Sequence, residues 1–128
     1  MNIFIATSFE AKDLFNEYKS VLTELGHNIY DWTVNPSVRP YALNRNLVNK
    51  HTHENIDAIT SSDCFILVTD SRSRSAFVEF GVAINSAIMT GTPKIFVIGD
   101  DISMYIYHST VSYVSNLNEV IKWIKAQK

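Results

Sequence analysis

"DCFILVTDSRSRSAFVEFGVAI", Asp63 to Ile84, is the stretch on which the fold turns. Its first part, Cys64 to Thr69, is short and almost continuously apolar, the pattern of a strand buried on both faces. A loop of alternating serines and arginines follows, and then an apolar run too long for a strand and suited to a helix. From Ala76 to Met89 the only polar side chains are Glu79, Asn85 and Ser86. A lone carboxylate in such company is costly to bury and needs a reason to be there.

Working outward, the same alternation repeats. "NIFIA", Asn2 to Ala6, reads as a buried strand. It leads into a helix with Leu14, Tyr18, Val21, Leu22 and Leu25 at helical spacing, and Gly26 stands where a helix-ending glycine belongs. "NIYDW", Asn28 to Trp32, is a second strand. Pro36 and Pro40 make the next stretch a loop, and a polar helix is predicted from about Tyr41 to Ile59. "KIFVI", Lys94 to Ile98, is the fourth strand, and "VSYV", Val111 to Val114, a fifth. A last helix carries Leu117, Val120, Ile121 and Ile124 on one face.

Short apolar strands alternating with helices predict one α/β domain spanning residues 1–128, a three-layer sandwich around a five-stranded parallel sheet of flavodoxin-like or Rossmann-like order. Ligands bind such sheets beyond the carboxyl ends of the strands, near the switch point of the winding. That rule selects "ATSFE" after the first strand, Trp32 and Thr33 after the second, "DSRSRS" after the third and "GDD" after the fourth.

Composition narrows the function. Of the 128 residues, 46% are hydrophobic and 19% charged, with a net charge of −2, so no basic surplus points to nucleic acid or to an anionic membrane. No apolar run approaches the roughly 20 residues a membrane span needs. The first residues, "MNIFIATSFEAK", lack the positive charge of a signal peptide. One cysteine, Cys64, cannot form an internal disulfide and reads as a small core residue, and a cytoplasmic setting is the default. His51 and His53 are two apart and point to different sides of a helix, so they suggest no metal site, and no cofactor is implied.

Two readings of Glu79 compete. A glutamate in the first turn of a helix is favoured by the dipole, with Ser75 as the N-cap. A capping box, however, needs the acid three residues after the cap, which from Ser75 is Val78. A helix apolar nearly all round is buried on more than its sheet-facing side, which in a chain this small suggests a homodimer or larger homo-oligomer. A buried carboxylate facing the crevice, kept ionised by free amides at the helix start, is then a nucleophile or base.

These residues resemble the nucleoside 2-deoxyribosyltransferase superfamily. Glu79, Gly81 and Ala83 match its E-x-G-x-A helix head, and Asp63 matches the acid that opens the preceding strand. "IATSF" resembles the first substrate loop, and "YDWT" and "YHSTVSYVSNLNEVIKWI" resemble small bacterial members. The resemblance implies that Glu79 attacks the anomeric carbon of a nucleoside or nucleotide, that the base leaves, and that water or a second base takes the sugar. Gly81 would let the helix pack closely beneath the site.

Six residues before the nucleophile, members acting on free nucleosides carry an aspartate, and relatives that cleave monophosphates carry a serine. Here it is Ser73, among Ser71, Arg72, Arg74 and Ser75, a set suited to an anion ahead of a helix. The implied substrate is a (deoxy)nucleoside 5′-monophosphate, held by Thr7, Ser8, Phe9, Trp32, Asn55, Asp70, Ser73, Ser75 and Gly81. Phe9 and Trp32 either sandwich a flat base or belong to the core. One departure stands out. The family places an aspartate that assists the leaving base where this chain has Asn55, while Glu54 and Asp57 lie about 100° and about 200° round the helix. Asp63, at the amino end of its strand, reads as structural. Tyr105 or His108 is either a side chain lent to a neighbouring subunit or a surface residue, and "GDD" a turn and helix cap. Two other readings remain open: a TIR-like NAD glycohydrolase, and a nucleotide sensor without catalysis.

Overall fold

The computed structural model describes residues 1–34 and 38–127. Five strands form one sheet: β1 (Asn2–Ala6), β2 (Asn28–Ile29), β3 (Cys64–Thr69), β4 (Lys94–Gly99) and β5 (Val111–Val114). The order is β2-β1-β3-β4-β5 and every pairing is parallel. Helices α1 (Lys12–Glu24), α2 (Arg45–Thr60), α3 (Arg74–Thr90) and α4 (Leu117–Lys125) make the crossovers and the chain's last element. Pro36 of the predicted loop lies outside the described residues.

Alternation along the strands sorts the core into two layers. Phe4 and Ala6 of β1, Phe65 and Leu67 of β3, and Ile95 and Val97 of β4 face α2 and α3, where Ile59, Ala76, Phe80 and Ala83 meet them. Ile3 and Ile5, Cys64, Ile66 and Val68, and Phe96 and Ile98 face the other way, onto Phe15 and Leu22 of α1 and Val120 and Ile124 of α4. Helices cover both layers, which explains why β3 is buried at every residue and apolar at nearly every one. Burial pushes the Cys64 thiol up to about 12, so it is inert. No described helix is long and apolar enough to cross a membrane.

Local chemistry sets the boundaries. Gly26, at φ +90°, lets α1 end in a Schellman turn: the amide of His27 donates to Leu22 O, and that of Gly26 to Thr23 O. Only part of the predicted second strand pairs. The parallel ladder with β1 covers Asn28 and Ile29, and Trp32 enters a 3-10 turn (Trp32–Val34). There its indole donates to Ile5 O at 2.8 Å and packs on Phe15. The polar helix also starts later than its sequence pattern suggests: a 3-10 turn (Tyr41–Leu43) precedes α2. The aspartates of "GDD" cap no helix; Ser103 caps the 3-10 helix Met104–Tyr107, and Asp101 accepts from the Tyr107 hydroxyl. Asp63 is structural, its carboxylate accepting from the Asn2 amide at 2.8 Å at the amino edge of the sheet.

β1 sits between β2 and β3, so the crossovers leaving β1 and β3 turn opposite ways and the winding reverses between these two strands. The crevice therefore opens where β1 and β3 end, at Thr7 and Asp70.

Candidate functional site

The loops that leave β1 and β3 are tied together across this reversal. Ser8 Oγ donates to Asp70 Oδ2 at 2.8 Å. The rest of the Asp70 carboxylate folds its own loop: Oδ1 accepts from the Arg72 amide at 2.7 Å, and the Arg72 guanidinium lies 3.2 Å from Oδ2. Burial alone would raise this carboxyl, but the bonds from the Arg72 amide, Ser8 and the Arg72 side chain prevail and hold it below the usual carboxylate range.

The same turn decides where α3 begins. The Ser73 amide closes on Asp70 O, and the Ser73 hydroxyl accepts from the Asp70 amide at 3.0 Å. Ser73, not Ser75, is consequently the N-cap residue, and α3 starts at Arg74. Ser75 is already helical and exposed, while Ser73 is buried with its hydroxyl occupied. Glu79 thus falls in the second turn of α3 rather than the first, below the free amides of the helix start.

Glu79 lines a cavity of about 400 Å3 at the carboxyl edge of the sheet. Thr7, Ser8, Phe9 and Trp32 contribute one wall, and Asn55 of α2 and Ser75 of α3 two others. Asn55 Nδ2 approaches Glu79 Oε2 at 3.5 Å, a long hydrogen bond, and among the described residues no backbone amide donates to this carboxylate. Desolvation accordingly pushes the Glu79 carboxyl from 4.5 up to about 7. The expectation of a carboxylate kept fully ionised by helix amides is corrected by this geometry: near neutral pH both forms are present. The other atom of the Asn55 carboxamide, Oδ1, is buried and has no hydrogen-bond partner among the described residues. An orphaned acceptor beside a buried carboxyl is an opening for a ligand donor.

The remaining expected residues lie elsewhere. Asp70, Ser73 and Gly81 border a second, mainly apolar groove on the far side of α3, with Phe77, Ile84 and Tyr105. Gly81 is exposed, and a Cβ there would meet nothing within 4 Å, so it does not serve close packing beneath the site. Glu54 pairs with Lys50 along α2 at 3.8 Å and does not line the cavity.

Arg39, Tyr41 and His51 line the cavity and were not among the residues expected. Arg39 and Tyr41 come from the segment after β2, with Arg39 Nε donating to the Tyr41 hydroxyl at 3.1 Å and its guanidinium over the ring. His51 lies four residues before Asn55, one helical turn away on the same face of α2. That spacing was readable in the sequence, whereas the path of residues 38–41 over the crevice was not. Among the described residues Arg74 makes no ion pair, so its guanidinium stands free at the cavity beside Ser75.

No family model and no curated protein matches the sequence. Among solved structures the chain is similar to the Clostridium botulinum CMP N-glycosidase BcmB. The TM-score is 0.66 over 96% of this chain and 97% of that one, at 18% identity. The likeness is one of fold.

Proposed function

We propose that this chain belongs to the nucleoside 2-deoxyribosyltransferase superfamily and is an N-glycosidase of (deoxy)nucleoside 5′-monophosphates, with Glu79 as nucleophile. One observation carries the reading: a desolvated carboxyl opening onto a cavity at the switch point of the sheet. About 400 Å3 lies within the range of roughly 300–1,000 Å3 usual for small-molecule sites. The fold it shares with a CMP N-glycosidase is consistent with the same class of chemistry.

In this reading the phosphate sits at the head of α3, where the free guanidinium of Arg74, the Ser75 hydroxyl and the unpaired helix amides meet. Asp70 and Ser73 act on the substrate indirectly, by holding the loop that presents Arg72 and Arg74. The sugar lies over Glu79, one turn deeper. The base lies toward Phe9 and the Trp32 edge, within reach of the Asn55 carboxamide, whose free oxygen accepts from a base amino group or sugar hydroxyl. Glu79 Oε attacks C1′ through an oxocarbenium-like transition state, and water or a second base then releases the sugar. Ionised Glu79 is the competent form, and a cationic transition state beside it favours that form.

We further propose that a second copy of the chain covers the apolar outer face of α3. Val78, Ile88 and Met89 are exposed there, with Ile102, Met104 and Tyr105 beside them. This is the face that the almost wholly apolar sequence of the helix leaves without a partner.

The test is incubation with nucleosides, their 5′-monophosphates and NAD, followed by chromatography for free base. Release from monophosphates, lost in Glu79→Gln, supports the reading. Nicotinamide release from NAD alone would favour a TIR-like glycohydrolase, and saturable binding without turnover a sensor. Adding a free acceptor base to the reaction separates hydrolysis from transfer.

A further inference from the structure

We propose that His51, facing the cavity one turn along α2 from Asn55, is the catalytic acid that protonates the departing base. The proposal rests on the N-glycosidase reading of Glu79. A glycosidic nitrogen leaves poorly as an anion, so cleavage at neutral pH needs a proton delivered to the base. Asn55, the group in contact with Glu79, is a carboxamide and has no such proton to give.

The arginines and Glu10 of the lining do not fit the task. The guanidinium groups of Arg39, Arg72 and Arg74 keep their protons throughout. Glu10 belongs to the exposed lip beyond Phe9. Imidazole is the side chain that gives and regains a proton in this range. His51 is half-buried, and no hydrogen bond or ion pair among the described residues engages its ring. Its position follows from helix geometry. Both α2 and α3 start at the carboxyl edge of the sheet, so one turn back from Asn55 places His51 toward the mouth. One turn back from Glu79 likewise places Ser75. The imidazole therefore lies above the carboxyl, on the α2 side, where a base projecting from C1′ would come.

The C1′–N bond breaks with its electron pair going to the base, while Glu79 Oε forms the ester bond to C1′. The imidazolium passes its proton to a ring nitrogen or carbonyl oxygen of the base, which leaves neutral. Water then attacks C1′, neutral His51 takes the proton from that water, and Glu79 departs as a carboxylate.

The experiment compares two leaving groups: the monophosphate the wild type cleaves best, and its N-methylated counterpart, whose cationic base leaves without needing a proton. For guanosine this is the 7-methyl form, for cytidine the 3-methyl form. His51→Gln should slow release of the ordinary base by about 10²- to 10⁴-fold while changing release of the cationic base by less than about 5-fold. In His51→Ala, added imidazole should restore part of the rate with the ordinary base. Equal losses on both substrates, with no rescue, would overturn the assignment. Glu79→Gln should abolish cleavage of both, and if it does not, the nucleophile is wrong whatever His51 does. Absence of base release by the wild type from every nucleotide would overturn the glycosidase reading, and this proposal with it.

Discussion

Replacing Glu79 by glutamine should make the protein inactive and, above neutral pH, more stable. Burial pushes the folded carboxyl from an ordinary 4.5 up to about 7. Between these two values the folded chain keeps a proton that the unfolded chain has lost, so wild-type stability falls as pH rises from about 4.5 to about 7 and then levels off. At about 1.36 kcal/mol per unit the full effect is about 3 kcal/mol, and solvent in the open cavity reduces it to about 1–2 kcal/mol. Glutamine keeps the shape and the Asn55 contact but cannot ionise. Urea denaturation of both proteins should give equal midpoints at pH 4 and a higher midpoint for Glu79→Gln at pH 8. The matching gain in Tm is about 3–6 °C per kcal/mol for a chain of this size. The same ionisation should appear in the wild-type kcat/KM as an acid limb near pH 7. A stability gap that does not change between pH 4 and pH 8, or a wild type more stable at pH 8, would refute the claim that this carboxyl is desolvated.

Other outcomes follow from single contacts. Arg74→Ala should raise KM for a monophosphate by about 10-fold or more and leave KM for the nucleoside nearly unchanged, since one charge-assisted bond to phosphate is worth about 1.5–3 kcal/mol; parallel steady-state assays decide it. Gly99 sits at φ +116°, and a Cβ there would lie 2.6 Å from Thr69 Oγ1 and 2.8 Å from Thr69 O. Gly99→Ala should therefore cost about 2 kcal/mol or more, seen as a lower urea midpoint. Val78→Glu with Ile88→Glu should convert the proposed homo-oligomer to a monomer in sedimentation velocity while the far-ultraviolet circular dichroism is retained; a wild type that is itself monomeric would remove that proposal.

Much of this architecture is legible in the chain because its signals are local. β3 is identified by six residues that are buried on both faces, and α1 by an apolar stripe closed by Gly26. The start of α3 is harder. Ser73 and Ser75 are both acceptable caps, and the choice between them is made by the Asp70 carboxylate, which folds "DSRS" into a turn. That two-residue shift carries Glu79 out of reach of the helix amides and changes its ionisation. β2 is shorter than its apolar pattern because Trp32 satisfies its indole on Ile5 O in a 3-10 turn. In the site, Thr7, Ser8, Phe9, Trp32, Asn55, Ser75 and Glu79 come together as their positions at the strand ends and helix heads imply. Arg39 and Tyr41 join them only through tertiary packing of a proline-containing segment, which no periodicity encodes.

The Ser8–Asp70 bond links the loops leaving the two strands at the switch point, so the Glu79 carboxyl, the cationic loop and the floor of the cavity share one braced frame. The segment bearing Arg39 and Tyr41 contributes its wall from outside that frame. In the proposed reading, the groups assigned to bond breaking thus belong to the braced frame, and this outer wall can vary apart from them. Library mutagenesis confined to residues 38–43 should then change which nucleotides the cavity admits without altering the step proposed for Glu79.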